Sequence, residues 1–159
     1  MILGVSGHRP YTWNYDKAKS DLLQGLVRDT LLYLNPNKVI TGMAIGFDQE
    51  VALACYKLRI PYIAAVPFEG QDSKWPNASK RMYAALLKEA LEVIVLSKSS
   101  YDPSLMKRRN AMIVNQSDAM MVLFNGEPSS GTGHTVDLAK AKNLEIHNLW
   151  PKFVESWST

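Results

Sequence analysis

The chain has 159 residues, 47% of them hydrophobic and 21% charged, globular proportions that exclude disorder and collagen-like repeats and favour one domain over residues 1–159. No apolar run approaches the roughly 20 residues that span a bilayer, and MILGVSGHRP places no basic stretch ahead of its apolar residues, so no secretory leader is expected. Eighteen Lys and Arg against fifteen Asp and Glu leave +3, too little charge to argue for bulk nucleic-acid binding.

Ile2–Ser6 reads as a first strand, followed at once by Gly7-His8-Arg9-Pro10. From Asp16 to Leu34, apolar residues at Ala18, Leu22, Leu26, Leu31 and Leu34 have the spacing of an amphipathic helix. Asn35-Pro36-Asn37 stops it. Lys38–Thr41 is a second strand, and Gly42-Met43-Ala44-Ile45-Gly46 leads into a helix with a stripe of Phe47, Val51, Ala54, Cys55 and Leu58. Cys55 on that stripe reads as a buried, inert thiol. As the lone cysteine it excludes an internal disulfide and a multi-cysteine metal site, and it fits a reducing cytoplasm.

Ile60–Val66 is a third strand. After the connection Pro67–Pro76, a helix capped by Asn77 or Ser79 runs to about Ala90. Glu92–Leu96 is a fourth strand, and Ser104–Ser117 carries helical spacing in Leu105, Met112, Ile113 and Gln116. Ala119–Phe124 is a fifth strand, with Met120 and Met121 as core fillers. A turn-rich loop over Asn125–Gly131, a helix over Thr132–Asn143 and a sixth strand over Leu144–Leu149 complete the pattern. The apolar tail Leu149–Trp157, with Trp150 and Trp157, reads as packing or as a surface inviting a partner subunit.

Strand–helix alternation throughout predicts an α/β fold with a mostly parallel sheet of five or six strands. Ligands of such sheets bind past the carboxyl ends of the strands. That rule selects the loops Gly7–Pro10, Thr41–Asp48, Pro67–Trp75, Ser97–Asp102 and Asn125–Gly133. Their ligand-edge candidates begin with Gly7, Thr41, Gly42, Ala44, Gly46 and Pro67. Asn125, Gly126 and Gly133 complete that edge.

Gly42-x-x-x-Gly46-Phe47-Asp48 is either a phosphate wrap at a helix start or a tight strand-to-helix turn. It has neither the Walker A nor the dinucleotide fingerprint. Ser130-Gly131-Thr132-Gly133 repeats the arrangement after the fifth strand, with Thr132 as both cap and ligand. Two such loops in one sheet point to a phosphate-bearing ligand. Arg9 can clamp a phosphate bidentately. His8 is either an acid–base group or a loop organiser bonded to backbone. Met106-Lys107-Arg108-Arg109-Asn110 opens a helix, and cations in a first turn oppose the macrodipole. Either phosphate contact offsets that cost or the run is a solvated basic face. Trp75 lies against a nucleobase, lids the core or meets another subunit.

In order, GVSGHRP at 4–10, TGMAIGFDQ at 41–49, PFEGQDSKWP at 67–76, KRRNAMIVNQSD at 107–118 and NGEPSSGTGHTVDLAKAK at 125–142 resemble the SLOG superfamily. They are most similar to its small YpsA-like bacterial and phage branch. The resemblance implies a Rossmann-like, doubly wound sheet with helices on both faces, glycine loops that bind a nucleotide or ADP-ribose-like ligand, and a homo-oligomer (dimer or tetramer). No cofactor and no metal are expected. In the phosphoribohydrolase relatives an arginine and a glutamate do the chemistry. Arg109 matches the arginine, while Thr135 occupies the place of the glutamate.

A threonine cannot stabilise oxocarbenium character at a sugar carbon. The remaining carboxylates near the expected cleft are Asp48, Glu69, Asp72, Glu127 and Asp137. Asp48 at a helix start is expected to stay ionised, as a nucleophile or ribose-hydroxyl acceptor. Three functions follow. The first is a nucleotide-binding module, favoured by the missing glutamate. The second is a nucleotide N-glycoside hydrolase or related transferase using Asp48 or Glu69 with Arg109. The third is a DNA-processing role, against which the small net charge argues.

Overall fold

A computed structural model of the protein describes residues 1–10, 13–99 and 101–157, so Ser100 of the Ser97–Asp102 loop lies outside the described residues. Six strands, β1 (Ile2–Gly7), β2 (Lys38–Thr41), β3 (Tyr62–Val66), β4 (Glu92–Val95), β5 (Ala119–Leu123) and β6 (Glu145–Asn148), alternate with α1 (Lys17–Leu34), α2 (Phe47–Leu58), α3 (Asn77–Glu89), α4 (Pro103–Gln116), α5 (Gly131–Ala141) and α6 (Trp150–Trp157). The strands form one sheet in the order β4-β3-β2-β1-β5-β6, and each neighbouring pair is parallel.

The period of two explains the layers. On β5, Ala119, Met121 and Leu123 enter a core with Leu23 of α1, Phe47 of α2, Leu86 of α3 and Phe153 of α6. Met120 and Val122 enter the opposite core with Ile113 of α4 and Val136 of α5. Helices therefore cover both faces of a parallel sheet. The fold is α/β, doubly wound and Rossmann-like.

Local chemistry moves several expected boundaries and faces. Asp16 caps α1 by accepting from the Lys19 N–H at 2.8 Å. The buried stripe of α1 is Leu23, Val27 and Leu31, not one through Leu22, which is 38% exposed. Leucines stand on more than one side of this helix, so spacing alone does not choose its inner face. Neither Asn77 nor Ser79 caps α3, whose start at Pro76 has no side-chain cap. The third strand starts at Tyr62 and the sixth ends at Asn148.

α4 begins at Pro103, with Asp102 accepting from the Ser104 N–H at 3.0 Å. Lys107, Arg108 and Arg109 thus lie in its second turn, away from the positive end of the helix dipole. Lys107 and Arg108 are exposed and Arg109 is buried. The cap of α5 is Ser130 rather than Thr132. The tail folds back as α6: Leu149 and Phe153 are buried, and Trp157 meets Trp150 and Phe153 edge to face at 5.7 and 5.2 Å. Its largest side chains pack within the chain. No described helix is long and apolar enough to cross a membrane.

Candidate functional site

After β1 the strand order runs towards β4 on one side and towards β6 on the other, so the crevice between β1 and β5 is a topological switch point. His8 clips its two walls together. Its N–H donates to Leu123 O at 3.1 Å, and its ring Nε2 accepts the Asn125 N–H at 2.9 Å. That bond needs a neutral ring, and burial holds the His8 pKa below its ordinary 6.5. Of the two expected roles, the backbone bond is the one observed.

The crevice opens into a cavity of about 330 Å³. One wall is the start of α5. Ser130 Oγ accepts the Gly133 N–H at 2.9 Å and donates to Glu127 O at 2.7 Å. The Gly131 and Thr132 N–H groups have no acceptor among the described residues, as expected of a helix's first donors. Both residues line the cavity. Arg9 lines it too, half-buried and without a hydrogen bond or salt bridge to a described residue.

The opposite wall holds Asp48 and Arg109. Asp48 Oδ2 accepts the Ala44 N–H at 3.3 Å, while its buried Oδ1 has no partner among the described residues. Burial pushes the Asp48 carboxyl up; the Arg109 charge, the Ala44 N–H and Arg9 pull it back. Loss of water outweighs those three, so the carboxyl stands above its ordinary range. Arg109 donates from Nη1 to Gly42 O at 2.6 Å and to Ala65 O at 3.4 Å, and from Nε to Asn110 Oδ1 at 3.0 Å. Burial works against its charge and Asp48 supports it.

Ten sequence candidates meet on this cavity: Gly7, His8, Arg9, Ala44, Asp48, Arg109, Asn125, Ser130, Gly131 and Thr132. The others lie elsewhere. Thr41 is buried and its hydroxyl donates to Asp48 O at 2.9 Å. Gly42 lies under the Arg109 guanidinium, and Gly46, at φ +103°, lies against Pro10. Gly133 faces the Glu127 and Pro128 carbonyls, whereas Gly126, at φ +96°, faces open space. Pro67 is buried, Glu69 is exposed, and Trp75 lines a neighbouring cavity.

Of the weighed carboxylates, Asp48 and Glu127 reach the cavity. Glu127 is held below the usual range by the Ser129 hydroxyl and N–H. Thr135 is buried with its hydroxyl on Gly131 O at 3.0 Å. Met106 and Asn110 line the cavity without having been expected. Met106 stands three residues before Arg109 and four before Asn110, the spacings that share a helix face, and that is the signal that identifies them.

A family model described as the YspA SLOG family matches residues 3–154. The uncharacterised SPbeta prophage-derived protein YoqJ of Bacillus subtilis (strain 168) is 28% identical over 146 residues, covering 82% of this chain and 84% of that protein. Among solved structures, DNA processing protein A (DprA) from Streptococcus pneumoniae superposes with TM-score 0.66 at 19% identity, covering 91% of this chain. This chain spans 48% of that DprA. DNA processing protein A from Helicobacter pylori, described for its single-stranded DNA binding mode, gives TM-score 0.65 at 16% identity, covering 98% and 72% of the two chains. These likenesses to DNA-processing proteins lend no support to the expectation, made from net charge, that nucleic acid is not a partner.

Proposed function

Because the chain belongs to the YspA SLOG family, a membership that supports a nucleotide-related role, we propose that its crevice cavity binds a nucleotide or an ADP-ribose-like derivative. The observation that carries this reading is the start of α5. Two backbone N–H groups without an acceptor among the described residues, at Gly131 and Thr132, stand on a cavity wall with Arg9, a cation with no hydrogen bond or salt bridge to a described residue. Phosphate oxygens match such donors, and the helix dipole adds attraction.

The test is a thermal-shift panel of nucleoside monophosphates, ADP-ribose and NAD. A ligand at 100 times its Kd stabilises by about 2.7 kcal/mol. A Cβ at Gly131 meets nothing within 4 Å, so Gly131→Val folds with stability changed by less than about 0.5 kcal/mol. Its side chain fills the phosphate approach and binding is lost. Unchanged affinity would remove α5 from the site.

Asp48 favours a second reading, a nucleotide N-glycoside hydrolase or transferase. Its Oδ1, without a partner among the described residues, suits a developing positive charge on ribose, and the nearby Arg109 charge suits an anionic ligand. Free base detected by chromatography, and abolished by Asp48→Asn, distinguishes turnover from binding. A single-stranded oligonucleotide belongs in the same panel, given the Helicobacter pylori neighbour. Self-association is part of the proposal. The exposed Leu91, Val93 and Val95 at edge strand β4, rather than the folded-back tail, support it, and sedimentation measures it.

A further inference from the structure

A second cavity, of about 320 Å³, adjoins the first and shares Arg9 and Met106 with it. Its character is different. Three rings line it: Phe68, Trp75 and Tyr101. Each is braced edge to face, Tyr101 on Phe68 at 5.8 Å and Trp75 on Tyr83 at 5.1 Å. Phe68 is buried and Tyr101 is 66% exposed, so the rings run from the interior to the mouth.

Gln71 lines the same cavity and is 7% exposed. Its Nε2 donates to Gly42 O and to Tyr83 Oη, both at 3.4 Å. Turning the amide over would set its oxygen against the Gly42 carbonyl, two acceptors facing each other. Oε1 is therefore fixed as the free group, buried and without a donor among the described residues. A buried acceptor left unpaired is costly, and a ligand N–H relieves that cost.

We propose that this second cavity is a nucleobase subsite, taking a flat base with an N–H donor on its edge. It would hold the base of a nucleoside 5′-phosphate whose phosphate lies at the start of α5, with Arg9 at the junction. This proposal rests on the phosphate reading given above. The rings supply sequence-tolerant base stacking, and Gln71 Oε1 supplies selection for the donor edge.

Isothermal titration of the full chain with inorganic phosphate, ribose 5-phosphate, AMP, GMP and CMP tests it. At least one of the three nucleotides is expected to bind about tenfold or more tightly than ribose 5-phosphate, and to quench tryptophan fluorescence. Tyr101→Ala and Gln71→Leu should each remove most of that gain and leave ribose 5-phosphate affinity unchanged. Tyr101 is exposed, so its variant decides the matter if Gln71→Leu does not fold. If ribose 5-phosphate binds but no base adds affinity, or if the gain survives either substitution, the subsite is wrong and the phosphate site stands. If neither ribose 5-phosphate nor any nucleotide binds, both readings fall.

Discussion

Gly42 and Arg109 stand 67 positions apart and meet through a hydrogen bond of 2.6 Å. A Cβ on residue 42 would lie 2.5 Å from Arg109 Nη1 and 2.7 Å from its Cζ. Glycine is needed there for the close approach of a buried cation. Gly42→Ala is expected to cost about 1–3 kcal/mol in urea unfolding, because the guanidinium must move within a packed region. In an Arg109→Ala background, the same change should cost less than about 0.5 kcal/mol. Equal costs in both backgrounds would uncouple the pair. The sequence shows glycine and a basic run, and the natural reading of each is a phosphate contact. What it cannot show is that a backbone carbonyl from the other half of the chain draws Arg109 inward. Gln71 is hidden for the same reason, since its importance lies in which of its amide atoms is left without a partner.

At the scale of elements, the start of α5 combines a structural task and the proposed binding task in few atoms. Ser130 Oγ closes the first turn on Gly133 and anchors the preceding loop on Glu127. Ser130→Ala should therefore lower stability by about 1 kcal/mol in chemical denaturation. It should also weaken phosphate-bearing ligands, because Gly131 and Thr132 lose their fixed direction; unaltered melting would show the cap to be dispensable. The strands and most helices were legible because buried parallel strands are short apolar runs and their helices keep one inward stripe. α6 was not. It has eight residues, includes Pro151, and gains its helical character from packing Phe153 against α1 and the aromatic cluster. The caps were missed at α5, where Ser130, two positions before Thr132, takes the Gly133 N–H, and at α3, which starts at Pro76 without a side-chain cap.

Across the whole molecule, His8 joins what the sheet order separates. It follows β1, holds the loop after β5, and lies 6.0 Å from the Trp150 ring of α6. Burial keeps its folded pKa below the ordinary 6.5, so the unfolded chain takes up the proton first. Its contribution to stability is complete above pH 6.5 and is lost as pH falls from there through the folded pKa. Melting curves between about pH 7.5 and pH 5.5 should show this decline, and His8→Gln should flatten it; an unchanged slope would assign the decline to other groups. Thr135 has a longer reach. Its hydroxyl is turned back onto Gly131 within the packed side of α5, so a carboxylate acquired at that codon would enter the protein interior instead of reaching the cavity. In this chain an acid for ligand cleavage would have to come from the cavity wall, where Asp48 and Glu127 already stand.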